Sequence, residues 1–219
     1  MSILADQIES NMFRGMVLPG ALKKLFQWIE SNGFYEDSFE GRFGSLFDEE
    51  AVEPETDEEQ FGGTEITFGS QHSTDYISSL LGHSREQILQ RLCVIALTGM
   101  DGSHAAIWLD DDGQQHIVHI GSGAGSGLLC VLATDAVDFL RLLAIGYREI
   151  CWPEEFAHAP NANDPDVLTH PNVDFQRWVR DTFETTIPDT ALEIIKNPSS
   201  MHSSESNDPF WQWFKKNSE

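Results

Sequence analysis

Basic residues are scarce in this chain: 13 Lys and Arg stand against 36 Asp and Glu, for a formal net charge of −23 over 219 residues. Such a surface repels nucleic acid and anionic membrane, and it suits a basic protein partner. Cysteine is nearly absent too. Cys93, Cys130 and Cys151 are scattered, odd in number and without metal-type spacing, so a disulfide framework and a thiolate metal site are both excluded. Buried, reduced thiols in a cytoplasmic protein are the expectation. No run approaches the roughly 20 apolar residues that a membrane-spanning helix needs. Residues 1–18 carry Asp6 and Glu9 and lack an apolar core, so a secretory leader is not expected there. No internal repeat is visible.

Complete chemical motifs are missing as well. Gly121-Ser-Gly-Ala-Gly-Ser-Gly127 is glycine-rich, but the strand-like Leu128–Leu132 follows it rather than a helix, and no Lys-Ser or Lys-Thr pair follows. A phosphate loop needs a helix N-terminus there, so a hairpin turn is the better reading. His104, His116 and His119 fall on neighbouring strands. His116 and His119 are three apart and point to opposite sheet faces, so they cannot share an ion without a bulge, and only His104 with one of them could share a face. Two ligands do not make a catalytic metal site. Asp110-Asp111-Asp112-Gly113 hints at calcium, but the position that should close the loop with Glu is Gly121. There is no G-x-S-x-G, and no cysteine sits beside residues that would lower its pKa. No catalytic residue, cofactor or metal is expected.

What is present reads as one globular unit, 40% apolar with six Trp. Leu92–Ile150 is the clearest part. Strand patterns at Cys93–Thr98, Ala105–Leu109, His116–Ile120 and Leu128–Leu132 are separated by Asp101-Gly102, by Asp110–Gly113 and by the glycine run. A helix follows. Thr134 can cap it, Asp135 and Asp138 sit in its first turn, and Gly146 can end it. Leu140, Leu143 and Ala144, with Phe139 beside them, should be buried, while Asp138 and Arg141 face water. This order predicts an antiparallel meander with its last helix laid across one sheet face.

Upstream, Leu22, Leu25, Phe26 and Ile29 mark one face of a helix between Pro19 and Gly33, with Trp28 off the stripe. Residues 1–17 show no pattern and are expected to fray. The 3–4 spacing of Phe39, Phe43, Leu46 and Phe47 suggests a second short helix. The acidic stretch 48–59 reads as a solvated loop, Thr64–Phe68 as an edge strand, Asp75–Leu81 as a helical turn, and Ser84 with Gln87 as a capping box. Beyond residue 150 lie a proline-rich loop, a helix opened by Pro171 with Phe175, Trp178 and Val179 on one face, a Ser-rich segment 197–207 expected to be mobile, and a final helix begun by Asp208-Pro209. On that last helix Phe210, Trp213 and Phe214 share a face, leaving Trp211 the most free to point outward.

The hairpin Ala105-Ala-Ile-Trp-Leu-Asp110, the segment Ile117-Val-His-Ile-Gly-Ser122, Phe139-Leu-Arg-Leu-Leu-Ala-Ile-Gly-Tyr147, and Leu18-Pro19 before a helix ending Asn32-Gly33 resemble the SUKH superfamily. That superfamily includes fungal cell-wall-synthesis regulators and many bacterial toxin-immunity proteins. The resemblance is strongest over residues 18–150. It treats 1–219 as a single SUKH-like domain carrying the acidic loop 48–59 and a C-terminal helical extension, 151–219. The expected fold is α+β: a mixed or antiparallel sheet of about five or six strands, with helices packed mainly on one face. The resemblance implies a non-catalytic cytoplasmic immunity protein that binds and neutralises a basic nuclease or deaminase toxin. A scaffold or signalling regulator without a toxin partner is the alternative, followed by a small-molecule-binding protein or enzyme. The expected partner-binding residues are Asp110, Asp111 and Asp112 at the hairpin tip, Glu53, Glu55, Asp57, Glu58 and Glu59 in the acidic loop, and Trp211.

Overall fold

In the computed structural model, residues 1–48, 60–61, 63–69, 86–162 and 168–218 are described. The acidic loop beyond Asp48, the turn expected at Asp75–Leu81 and the Ser84 cap lie outside them. The fold is α+β. A seven-stranded antiparallel sheet runs in the order β1 (Tyr35–Ser38), β2 (Gly41–Gly44), β4 (Thr67–Phe68), β5 (Leu92–Leu97), β6 (His104–Leu109), β7 (Gln115–Ile120) and β8 (Leu129–Ala133). Two-residue strands β3 (Gln60–Phe61) and β9 (Leu168–Thr169) pair in parallel beside it.

The meander β5–β8 forms as its pattern predicts. Its strands are buried on both faces, which is why they read as continuous apolar runs rather than as an alternation. Bulges at Val94/Ala96 and opposite Ile117/Val118 turn Ile95 with Ala96, and Leu132 with Ala133, toward one face. That face carries α1 (Ile3–Ser10), α2 (Gly20–Asn32), α4 (Ala136–Ile145) and α5 (Val173–Phe183). Leu22, Leu25, Phe26 and Ile29 of α2 are buried against it, as are Phe139, Leu140, Leu143 and Ala144 of α4. Gly33 and Gly146 end α2 and α4 in the left-handed conformation that other residues adopt only with strain. Asp135, rather than Thr134, caps α4: its carboxylate accepts from the N–H groups of Val137 and Asp138. Asp138 and Arg141, expected to face water, are partly exposed and form an ion pair with each other at 2.6 Å. Trp28 leaves the α2 stripe to meet Phe34, Phe175 and Trp178, so it joins α2 to α5.

The opposite face is covered over β5–β8 by the short α3 (Glu86–Leu89) and by α6 (Pro209–Ser218). Helices therefore favour one face without being confined to it.

Four local expectations are corrected. Residues 1–17 contain α1, capped by Ser2 and held by buried Leu4, Ala5 and Ile8. The aromatic stretch after Phe34 is the β1–β2 hairpin rather than a helix. Ser38 accepts the Glu40 N–H in its turn, and Gly44 lies so close to Ile29 and Leu4 that no side chain fits there. This hairpin raises the strand count to seven and makes β4 an interior strand instead of an edge. The Ser-rich segment is ordered by backbone pairing to the outer side of β8: Leu129 donates to Ser199, and Met201 donates to Gly127. No helix among the described residues is long and apolar enough to cross a membrane.

Candidate functional site

The β6–β7 turn presents three consecutive aspartates that do different jobs. Asp110 is 17% exposed at its side chain. Its Oδ1 accepts from the N–H groups of Asp112 (3.0 Å) and Gln114 (2.7 Å), and its Oδ2 accepts from His116 Nε2 at 3.0 Å. Partial burial alone would raise its pKa; the bonds from His116 and Gln114 outweigh this and hold it below the usual carboxylate value. Arg91 braces the same turn through the Leu109 and Asp110 carbonyls. Asp110 is therefore the framework of the tip. Asp111, 61% exposed and 3.6 Å from Arg91, and the exposed Asp112 are the carboxylates presented to solvent.

The glycine run is a loop closed on a carboxylate of its own chain. Asp101 accepts from the Ser103 N–H (2.9 Å) and hydroxyl (2.8 Å), the Ser122 hydroxyl (2.8 Å) and the Ser126 N–H (2.7 Å). Burial pushes its pKa up, but these donors outweigh that and leave it lowered. A phosphate would need those same donors, so the loop's anion place is already taken by Asp101. The loop is braced rather than flexible.

The histidines follow the expected parity. His119 is fully buried on the α2/α4 face. Its Nδ1–H must donate to the Leu128 carbonyl (3.0 Å), which leaves Nε2 to accept from the Thr98 hydroxyl (3.0 Å). Burial lowers its pKa to about 4. His116 faces the other way, against Trp108. His104 shares that face but sits opposite Ile120, while His116 sits opposite Trp108, so the two lie at opposite ends of the strand pair. Among the described residues no group of three or more His, Cys, Asp or Glu is placed to hold a metal. The cysteines are free and buried, and burial pushes the Cys93 thiol up to about 12, away from nucleophilic use.

One site expectation changes. Trp211 is 7% exposed, because α6 lies in a slot between the sheet and the segment 199–206. Its indole N–H donates to the Ser200 carbonyl (2.9 Å), and Lys215 donates to the Met201 carbonyl (3.0 Å). It is a docking residue of the helix, not a free contact. Glu53, Glu55, Asp57, Glu58 and Glu59 lie outside the described residues. The sequence reading also missed two concavities. A cleft of about 530 Å³ lies between Phe13, Arg14, Arg91, Asp111 and Trp213. A groove of about 680 Å³ lies over the β1–β2 hairpin. The aromatic spacing that suggested a helix was the only hint of the latter.

Comparison with known proteins gives no match among family models, curated proteins or solved structures.

Proposed function

We propose that this chain is a non-catalytic binding protein whose acidic surface occupies and neutralises a basic protein partner, as an immunity protein does with a nuclease or deaminase toxin. The observation that carries this reading is the β6–β7 tip. Asp110 is committed to the turn, and Asp111 and Asp112 are held outward on it, in a chain of net charge −23. A rigid turn offers carboxylates at little entropic cost, and the summed charge steers a basic partner toward them. The absence of turnover belongs to the same reading. The groups best suited to chemistry, His119 and the cysteines, are buried and have their pKa values moved away from neutrality. The SUKH resemblance supplies the toxin. A cytoplasmic location accompanies it, and three unpaired thiols are compatible with a reducing compartment.

The test is binding to the basic domain encoded by the adjacent reading frame, with rescue of growth on co-expression. The association rate should fall steeply from 10 mM to 150 mM salt, as the Debye length shrinks from about 30 Å to about 8 Å. Asp111→Asn with Asp112→Asn should raise the off-rate, costing about 2–5 kcal/mol if they are desolvated in the contact. Binding indifferent to salt and to both substitutions overturns the proposal. So does turnover of nucleotides, esters or peptides that is lost in His104→Ala.

A further inference from the structure

We infer that the groove over the β1–β2 hairpin takes an arginine or lysine side chain from an extended segment of the basic partner. This inference rests on the proposed binding function and assigns it a second contact, separate from the β6–β7 tip. The two faces of the hairpin differ in one respect. On the α2 side, Arg42 stands directly opposite Asp37, bonds both of its carboxylate oxygens at 2.7 Å, and lies 3.8 Å from the centre of the Tyr35 ring. Acid, aromatic ring and guanidinium are all present there. On the other side, Glu36 stands directly opposite Phe43. Acid and ring are present, but Glu36 makes no ion pair among the described residues, and it is exposed.

The groove lies on that second side. Phe34, Phe43 and Phe47 line it, with Glu36 and Asp48 also on its wall, while Tyr35, whose ring lies under Arg42 on the α2 side, borders it from the strand. It runs from β1 to Thr67 on β4, a span of two strand spacings or about 10 Å. Phe43 is packed closely against Gly69, where an added Cβ would stand 2.7 Å from its Cδ1 and 2.9 Å from its Cε1. Aromatic faces with nearby carboxylates attract cations, and a weakly hydrated guanidinium most of all. Among the described residues β1 is the outermost strand of the sheet, the position at which an extended segment can add by backbone pairing. A second copy of this chain is a poor occupant. Pairing β1 with β1 would set Glu36 and Asp37 against the same acids, and like charges facing each other across strands are destabilising.

The test uses the whole chain and an acetylated, amidated hexapeptide of alternating Arg and Val, with the Glu–Val peptide as control. Binding is followed by amide chemical shifts and calorimetry at 150 mM salt. The Arg–Val peptide should shift the amides of residues 34–38 and 43–47, and the Glu–Val peptide should not bind. Glu36→Lys should weaken binding at least tenfold with an unchanged melting temperature, while Asp112→Lys should change it less than twofold. Phe43→Leu keeps an apolar floor but removes the ring, and it should weaken the Arg–Val peptide more than the Lys–Val one. Equal weakening by Glu36→Lys and Asp112→Lys would mean diffuse attraction and would overturn the inference. The inference alone also fails if the basic partner binds and Glu36→Lys leaves its affinity unchanged. If neither peptide nor partner binds, the binding function falls with it.

Discussion

His119 should make this protein acid-sensitive in a window set by its own burial. In the folded chain the ring is neutral, with one nitrogen donating to Leu128 and the other accepting from Thr98. Burial holds its pKa at about 4, against an ordinary 6.5, although the nearby Asp101 charge pulls the other way. The unfolded chain therefore binds the proton first as pH falls. The stabilising effect of the neutral ring is complete above pH 6.5 and is lost progressively down to about pH 4. A separation of 2.5 pH units at 1.36 kcal/mol each gives roughly 3 kcal/mol in all. Urea unfolding of the wild type and of His119→Gln, run in parallel from pH 7 to pH 4, isolates this quantity. Contributions common to both proteins cancel in the difference. His119→Gln should be less stable at pH 7, and the gap should close by about 3 kcal/mol at pH 4. A gap that stays constant within about half a kilocalorie would refute the reasoning, because the ring would then be reachable by solvent or already charged in the fold.

Two packing predictions accompany it. Leu143→Ala, which empties a fully buried site between α4 and the sheet, should cost roughly 2–5 kcal/mol in chemical unfolding; less than half a kilocalorie would mean the α4 face is assigned wrongly. Deleting residues 208–219 should lower the melting temperature and raise binding of an apolar dye. It strips Phe210, Trp211, Trp213 and Phe214 from Trp108, Val118 and Val131 and leaves the Val131 N–H without its Asp208 acceptor. Unchanged melting with loss of the partner would make that face an interface.

The meander and α4 were legible in the sequence because several local signals agree there: apolar runs of strand length, Asp and Gly at the turns, and a helix with an acidic start and a glycine end. α1 was not, because its eight residues carry only Leu4, Ala5 and Ile8 as an apolar face. Its place is set by distant partners, such as the Glu30 carboxylate accepting the Leu4 N–H at 3.0 Å. The β1–β2 hairpin was hidden by a coincidence of period. Phe39, Phe43 and Phe47 are four apart, but Phe39 is 98% exposed at the turn, Phe43 is on the strand and Phe47 lies beyond it. Segment 199–201 has a loop's composition, and its order comes from backbone pairing to β8, which no side-chain pattern records. The acidic tip was legible as a tip. The division of labour inside it was not, because the bonds of Asp110 to Gln114 and His116 exist only once the turn is formed.

That division bears on how an acidic binding protein can be mapped by mutation. The aspartates fall into two groups that composition cannot separate. Asp101, Asp110, Asp135 and Asp208 each accept backbone N–H groups, closing the glycine loop, the β6–β7 turn and the starts of α4 and α6. Among the described residues Asp111 and Asp112 accept no backbone N–H; both are exposed, with Asp111 3.6 Å from Arg91. Neutralising a member of the first group leaves donors unsatisfied and disturbs a turn or a helix end, at about 1–3 kcal/mol each. Loss of binding in Asp110→Asn therefore reports on the tip's shape, whereas loss in Asp111→Asn or Asp112→Asn at unchanged stability reports on contact. The same separation holds at the β1–β2 hairpin. Asp37 is committed to Arg42, whereas Glu36 on the other face makes no ion pair among the described residues. Steering by the whole surface lowers every association rate with salt, while contact raises the off-rate only where an uncommitted carboxylate is removed.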